Sequence, residues 1–219
     1  ASPAIMLHIQ RFTVNMIEEN CYVLSDETGE AVIIDCGAFF PEEKKDIREY
    51  IEQNGLRPKR LLNTHGHFDH VFGAAFVHDT YGLRPEMLTD EAATYAAAAG
   101  QMRMFLHRDL PLVTPPAGPA FNDGDLLTFG SHTLRAIATP GHTPGGACFY
   151  CKEEGCLFSG DSLFRHAIGR TDLPGGNEEA LVASLRTKVL TLPGDVRVFP
   201  GHGDETTVGE ERKANFYLQ

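Results

Sequence analysis

Short apolar runs broken by turns open this chain, and a longer spacing takes over between them. Ile5–Ile9 reads as a strand. Cys21–Ser25 and Ala31–Asp35 flank the turn Asp26–Glu30, the pattern of a hairpin. At Pro41 the period lengthens and predicts a helix over Pro41–Gln53. Proline suits its first position, Glu42 and Glu43 suit the positive end of its dipole, and Gly55 stops it. Arg60–Asn63 is a short apolar strand that runs into a histidine-rich stretch, with a helix following from about His70 to Tyr81. Thr89–His107 reads as helical, rich in alanine and methionine. Its Met102, Met104, Phe105 and Leu106 either pack inward or form a flexible apolar lid over a cleft. Pro111–Pro119 is irregular. Strands then recur at Leu126–Phe129, Thr133–Ala138, Gly146–Tyr150 and Cys156–Ser159. A helix over Asn177–Leu190 and a last strand at Val196–Phe199 follow. Strands followed by helices, twice over, predict an α/β fold in which two sheets pack face to face with helices outside.

The 219 residues, without repeats or linker-like runs, suit one domain with a substantial core. The formal net charge of −11, with no cluster of Lys and Arg, argues against nucleic acid and anionic membranes as partners. No apolar stretch has the length of a membrane span, and Ala1–Phe12 lacks the charge and apolar run of a signal peptide. The five cysteines are irregularly spaced, which is not a disulfide framework. Cys148 and Cys151 form a C-x-x-C inside a predicted strand, where residues three apart point to opposite faces. These are the thiols of a protein expected in a reducing cytoplasm.

The strongest chemical signal is His65-Gly66-His67-Phe68-Asp69-His70. Four potential metal ligands fall in six residues, straight after an apolar strand. Imidazole and carboxylate suit Zn²⁺ and related divalent ions. The spacing is not helical, which predicts a loop between strand and helix, with Gly66 letting the chain bend. Three more candidates share the context of an apolar strand and an adjacent glycine: His142 in Pro140-Gly141-His142, Asp161 in Gly160-Asp161, and His202 in Pro200-Gly201-His202. All can project from one end of a sheet into one cleft. His8, His78, His107, His132 and His166 lack that context and read as ordinary surface or core histidines.

The H-x-H-x-D-H stretch, the loop Pro140-Gly141-His142-Thr143-Pro144-Gly145, the Gly160-Asp161 pair and Pro200-Gly201-His202 resemble the metallo-β-lactamase superfamily over nearly the whole chain. The resemblance implies a four-layer αβ/βα sandwich with metals at one edge. It implies that His65, His67 and His142 hold one metal, that Asp69, His70 and His202 hold a second, and that Asp161 bridges them. Two divalent ions so held, zinc with iron or manganese as alternatives, lower the pKa of a water between them and neutralise charge on a carbonyl oxygen. Asp69 and Asp161 are thus the carboxylates nearest the chemistry.

A bridging Asp161, where common metallo-β-lactamases carry a cysteine or another non-bridging residue, is similar to the glyoxalase II (hydroxyacylglutathione hydrolase) type. So is Ile168-Gly169-Arg170-Thr171-Asp172-Leu173-Pro174-Gly175-Gly176, which resembles short, single-domain bacterial members of that group. The expected substrate is a small thioester such as S-lactoylglutathione. A thiolate with a pKa near 8.5 leaves without a protonating acid. Only 17 residues follow His202, so the helical C-terminal domain that contacts glutathione in the parent family is expected to be missing. That family's glutathione-binding lysine corresponds to Arg170, and its two tyrosine positions fall on Asp172 and Asp204. Arg170 and Arg165 are the candidates for holding a substrate carboxylate; Arg165 reads equally well as a surface arginine. The alternative reading is a persulfide dioxygenase, a group with the same fold and the Gly-Arg-Thr-Asp loop. It implies a single Fe²⁺ on His65, His142 and Asp161. Oligomeric state is not legible in the sequence.

Overall fold

The computed structural model describes residues 6–219. Two sheets lie face to face. The first has five strands in the order β1 (His8–Val14), β2 (Glu19–Ser25), β3 (Glu30–Ile34), β4 (Arg57–Leu62) and β5 (Pro85–Glu86). The second has six: β6 (Leu126–Phe129), β7 (His132–Ala138), β8 (Ala147–Cys151), β9 (Cys156–Gly160), β12 (Arg197–Pro200) and β13 (Thr206–Thr207), from one edge to the other. A separate two-stranded hairpin, β10 (Leu163–Phe164) with β11 (Ala167–Ile168), sits beside them. Pairing is antiparallel except for β3 with β4, β4 with β5, and β9 with β12.

Alternation along the strands builds three cores. Tyr22, Leu24, Val32 and Ile34 of the first sheet meet Phe149, Phe158 and Phe199 of the second in the central core. The opposite faces pack on helices. Val23, Ile33 and Leu61 lie against α1 (Pro41–Gln53) and α3 (Ala74–Tyr81). Cys148, Tyr150, Leu157 and Val198 lie against α6 (Glu178–Ser184) and α7 (Val208–Ala214). The result is the four-layer αβ/βα sandwich, with both faces of each sheet covered, which is why the strands read as nearly continuous apolar runs. Cys148 faces the outer core and Cys151 the central one, as strand geometry demands, and all five cysteines are free and buried.

Several boundaries depart from the sequence pattern. The predicted strand Ile5–Ile9 begins outside the described residues, and the strand observed is β1, displaced toward Val14 by its pairing with β2. The helix expected from His70 starts earlier, as α2 (Phe68–Val71), and breaks before α3. At the break a side chain on Gly73 would lie 2.6 Å from Cys36 Sγ, so the chain passes too close to the segment after β3 for a residue with a Cβ. Thr89–His107 is three pieces: a 3₁₀ turn Thr89–Glu91, α4 (Ala92–Ala96) and α5 (Ala98–Leu106). Met102 is buried against Phe68 and Phe72, so the inward-packing reading holds for Met102, while Met104 and Phe105 are exposed and Phe105 lines the cleft described below. The Asn177–Leu190 helix is α6 followed by a π-helical turn, Leu185–Val189. The strands β5, β10, β11 and β13 and helix α7 were not legible in the apolar pattern because they are short or partly polar. Among the described residues, no helix is long and apolar enough to cross a membrane.

Candidate metal centre

The seven predicted ligands converge at one end of the sandwich. His65 and His67 leave the end of β4, and Asp69 and His70 sit in α2, so the motif is half loop and half helix rather than loop throughout. His142 follows β7, Asp161 follows β9, and His202 follows β12. Gly66 has a reason other than the expected bend: a Cβ there would lie 2.8 Å from the Tyr95 backbone, so glycine permits α4 to pack on the ligand loop.

Two groups form around Asp161. His65, His67 and His142 bring their ligand atoms within 4.8 Å of one another, as do Asp69, His70, Asp161 and His202. His67 Nδ1 is 3.1 Å from His142 Nε2. Asp161 Oδ2 lies 3.5 Å from His142 Nε2, 3.7 Å from His65 Nε2 and 3.5 Å from His202 Nε2, and its Oδ1 lies 3.2 Å from His70 Nε2. Asp69 Oδ2 lies 2.9 Å from His202 Nε2 and 3.3 Å from His70 Nε2. A divalent ion fits this donor set. His65 Nε2, His70 Nε2 and Asp161 Oδ1 are buried with no hydrogen-bond partner, and buried polar atoms without partners are costly unless something else satisfies them. The cradle is also bare on one side: a Cβ on Gly201 would stand 2.4 Å from Asp161 Oδ1.

The outer contacts aim the imidazoles. His142 Nδ1 donates to the Arg170 carbonyl at 2.8 Å and His202 Nδ1 to the Glu18 carbonyl at 3.2 Å, which leaves each Nε2 lone pair facing inward. Asp35 does more, and the sequence reading missed it. Its Oδ2 accepts from His70 Nδ1 at 2.8 Å and from Thr64 Oγ1 at 2.5 Å, and Thr64 Oγ1 in turn accepts from His65 Nδ1 at 3.0 Å. One carboxylate therefore orients a histidine of each group. Asp35 adopts φ 52°, a left-handed conformation uncommon outside glycine, which its three hydrogen bonds hold in place. Part of the signal was present: Asp35 follows an apolar strand as Asp161 does, but its glycine, Gly37, is two residues away rather than adjacent. Glu19 was also missed. It is fully buried 3.5 Å from His70 Nδ1, and burial pushes its carboxyl well up despite His70.

The two groups differ electrically. Burial pushes His65 well down and His67 down to about 4, so both are neutral donors at ordinary pH. On the other side burial is outweighed by charge. Asp161 and Asp69 hold His202 up at about 10, and Asp161, Asp69 and Asp35 hold His70 well up. The same histidines keep the Asp69 and Asp161 carboxyls well below their usual range against the opposing effect of burial. Such a cluster of paired carboxylates and imidazoles, buried at a cleft, calls for positive charge at its centre.

The profile of the metallo-beta-lactamase superfamily matches residues 17–202, a span that holds all seven of these residues. The chain belongs to that superfamily. Among superfamily relatives, it is 33% identical over 214 residues to the hydroxyacylglutathione hydrolase GloC of Haemophilus influenzae, covering 97% of this chain and 98% of that one. It is 35% identical over 209 residues to the probable metallo-hydrolase YqgX of Bacillus subtilis, covering 95% and 96%. Among solved structures, the BLEG-1 B3 metallo-beta-lactamase superposes with a TM-score of 0.88 at 34% identity, covering 97% of this chain and 100% of that chain. These matches place the protein among the metallo-hydrolases.

In this superfamily member the centre opens into a cleft of about 430 Å³. Ile17, Phe68, Phe105, Phe164 and Leu173 give it apolar walls around His67, Asp69, His142, Asp161 and His202. Of the two predicted substrate-binding arginines, only Arg170 lines it. Its guanidinium makes a bidentate pair with Asp172, both bonds 2.8 Å, and lies over the Phe105 ring. Asp172, expected only as a lost tyrosine, thus occupies the fork that a substrate carboxylate would need. Arg165 is exposed on the turn between β10 and β11 and does not line the cleft. Asp204 is likewise exposed outside it.

Proposed function

We propose that this protein hydrolyses thioesters with two divalent metal ions, zinc in preference to iron or manganese, and that acylglutathiones such as S-lactoylglutathione are among its substrates. The observation that carries the reading is the position of Asp161, whose two carboxylate oxygens face His142 and His202 on one side and His70 on the other. His65, His67 and His142 would hold one ion, Asp69, His70 and His202 the other, and Asp161 both. Bound there, the ions supply Lewis acidity toward a carbonyl oxygen and make water acidic near neutral pH. The chain's own part is positional. Asp35 fixes His65 through Thr64 and fixes His70 directly, so the donors need little reorganisation. Ionised Asp69 lines the cleft, where its carboxylate can accept a hydrogen bond from the attacking water and orient it. Phe68, Phe105 and Phe164 limit bulk water around the reacting carbonyl. The thiolate leaves without a proton donor, whereas an amide nitrogen would require one, and outside the seven candidate ligands no titratable acid lines the cleft.

The full-length likeness to a hydroxyacylglutathione hydrolase supports the substrate class. The Arg170–Asp172 pair tempers it, since glutathione loses an unopposed cation. Binding that is equal in ground and transition states is what such contacts supply, so KM should suffer more than kcat. Elemental analysis combined with steady-state kinetics tests the reading. About two metals per chain and turnover of S-lactoylglutathione well above that of a β-lactam are expected. A single iron per chain, with O₂ consumed in the presence of glutathione persulfide, would replace it with the persulfide dioxygenase reading.

A further inference from the structure

Beside the metal cleft lies a second cavity of about 440 Å³, and His67 and Gln101 line both. Ala97, Gly100, Met104, Pro144 and Pro174 line this second cavity, with Thr94 beside them. No Asp, Glu, Lys or Arg lines it. We propose that this shelf seats a straight aliphatic acyl chain, making medium-chain acyl thioesters a substrate class of the enzyme; the proposal rests on the thioester reading of the metal centre.

Three observations carry it. The first is continuity. A substrate whose carbonyl lies among the metal-centre residues has a direct path along His67 into the shelf. The second is chemistry. The thiol portion of a carrier thioester is polar or charged, and burying it in a cavity without charged partners would be costly. The acyl chain is the part that can be wholly apolar. The third is Gly100. It sits inside α5, where glycine is less stable than alanine, and a Cβ built there meets nothing within 4 Å. Packing gives no reason for a bare position. What the glycine, exposed on α5, does is leave that side of the shelf open. Met104 is 55% exposed, and its flexible thioether can follow chains of different length. In the reaction, the water oxygen bonds to the acyl carbon and the C–S bond breaks with its electron pair going to sulfur. The products are the fatty carboxylate, the thiol and one proton.

Two series test it on metal-loaded protein: acetyl, butyryl, hexanoyl and octanoyl thioesters of one carrier by kcat/KM, and the matching carboxylates by calorimetric binding. Each buried methylene should improve both by about two- to fourfold. Gly100→Phe should fill the shelf and flatten both series, while Gly100→Ala, which adds one methyl to open space, keeps the rise. Circular dichroism and melting of both variants establish that they fold. A flat series in the wild type, or a rise that survives Gly100→Phe, overturns the proposal. If no thioester turns over but carboxylate binding still rises and Gly100→Phe abolishes it, the shelf stands and the thioester reading falls.

Discussion

Two histidine–carboxylate clusters sit at opposite ends of the same strands. At one end of β2 and β7 lies the candidate metal centre. At the other, His132 Nδ1 bonds Asp26 at 2.8 Å and its Nε2 bonds Glu154 at 2.9 Å. His132 and Asp26 are buried as the metal-end residues are, and with exposed Glu27 they too bring three potential ligand atoms within 4.8 Å of one another. The difference is in satisfaction. At the His132 end both ring nitrogens have carboxylate partners, and Asp26 also accepts from Thr28 and Ser131. At the metal end, His65, His70 and Asp161 keep buried atoms with none. The same residue types therefore do different things: one cluster clasps the first sheet to the second, and the other holds donors ready for an ion. A list of histidines and acids cannot tell them apart; the count of unmet hydrogen bonds can.

Substitutions at the two ends should separate activity from stability. The largest effect is expected from Asp161→Ala, which removes the carboxylate shared by both groups. Metal content should fall together with thioesterase activity, the latter by more than about a hundredfold, beyond the range expected of outer contacts alone. Near-normal hydrolysis by this variant would refute the assignment of Asp161. Asp35→Asn should come next. It weakens the acceptor that orients His65 and His70, and metal affinity measured by competition with a chelator should drop about 10–100-fold. An unchanged affinity would reduce Asp35 to a structural residue.

His132→Ala should do the reverse, leaving metal stoichiometry intact while lowering unfolding free energy by about 3 kcal/mol, because Asp26 stays buried without its partner. Its pH signature is distinctive. Burial lowers His132, but Glu154 and Asp26 outweigh that and raise it above its ordinary 6.5. The clasp's contribution is thus complete below 6.5 and is lost as pH rises through the folded-state value. Asp26 is resisted by burial yet held down to about 2 by Thr28, His132 and Ser131, so its contribution fades only as pH falls from 3.8 toward that value. Denaturant midpoints of wild type and His132→Gln across this range should diverge most in mildly acidic buffer and converge above neutrality. Parallel curves would show that His132 does not titrate with folding. The smallest effect is expected from His8→Ala on the exposed face of β1, within about 0.5 kcal/mol by the same denaturant titration. A larger loss there would break the distinction between clustered and isolated histidines.

The seven candidate ligands and the sandwich were legible because both rest on near-neighbour pattern. Short continuous apolar runs mark the strands that are buried on both faces, and a polar residue with glycine at the end of such a run must emerge at the sheet edge. That logic placed His65, His67, Asp69, His70, His142, Asp161 and His202 in one cleft. It stopped short of Asp35, whose chemistry depends on Thr64 from the loop after β4 and His70 from α2, and of His132, whose two partners lie 106 and 22 residues away in sequence. Tertiary structure alone decided that Asp172 occupies the Arg170 fork, that Arg165 faces solvent, that Gly66 serves helix packing rather than a bend, and that the helix expected from His70 breaks at Gly73. Periodicity and turn chemistry act over a few residues and are written in local order. Whether a buried polar atom is satisfied, and hence whether it clasps the fold or awaits an ion, depends on groups that only folding brings within 3 Å or so.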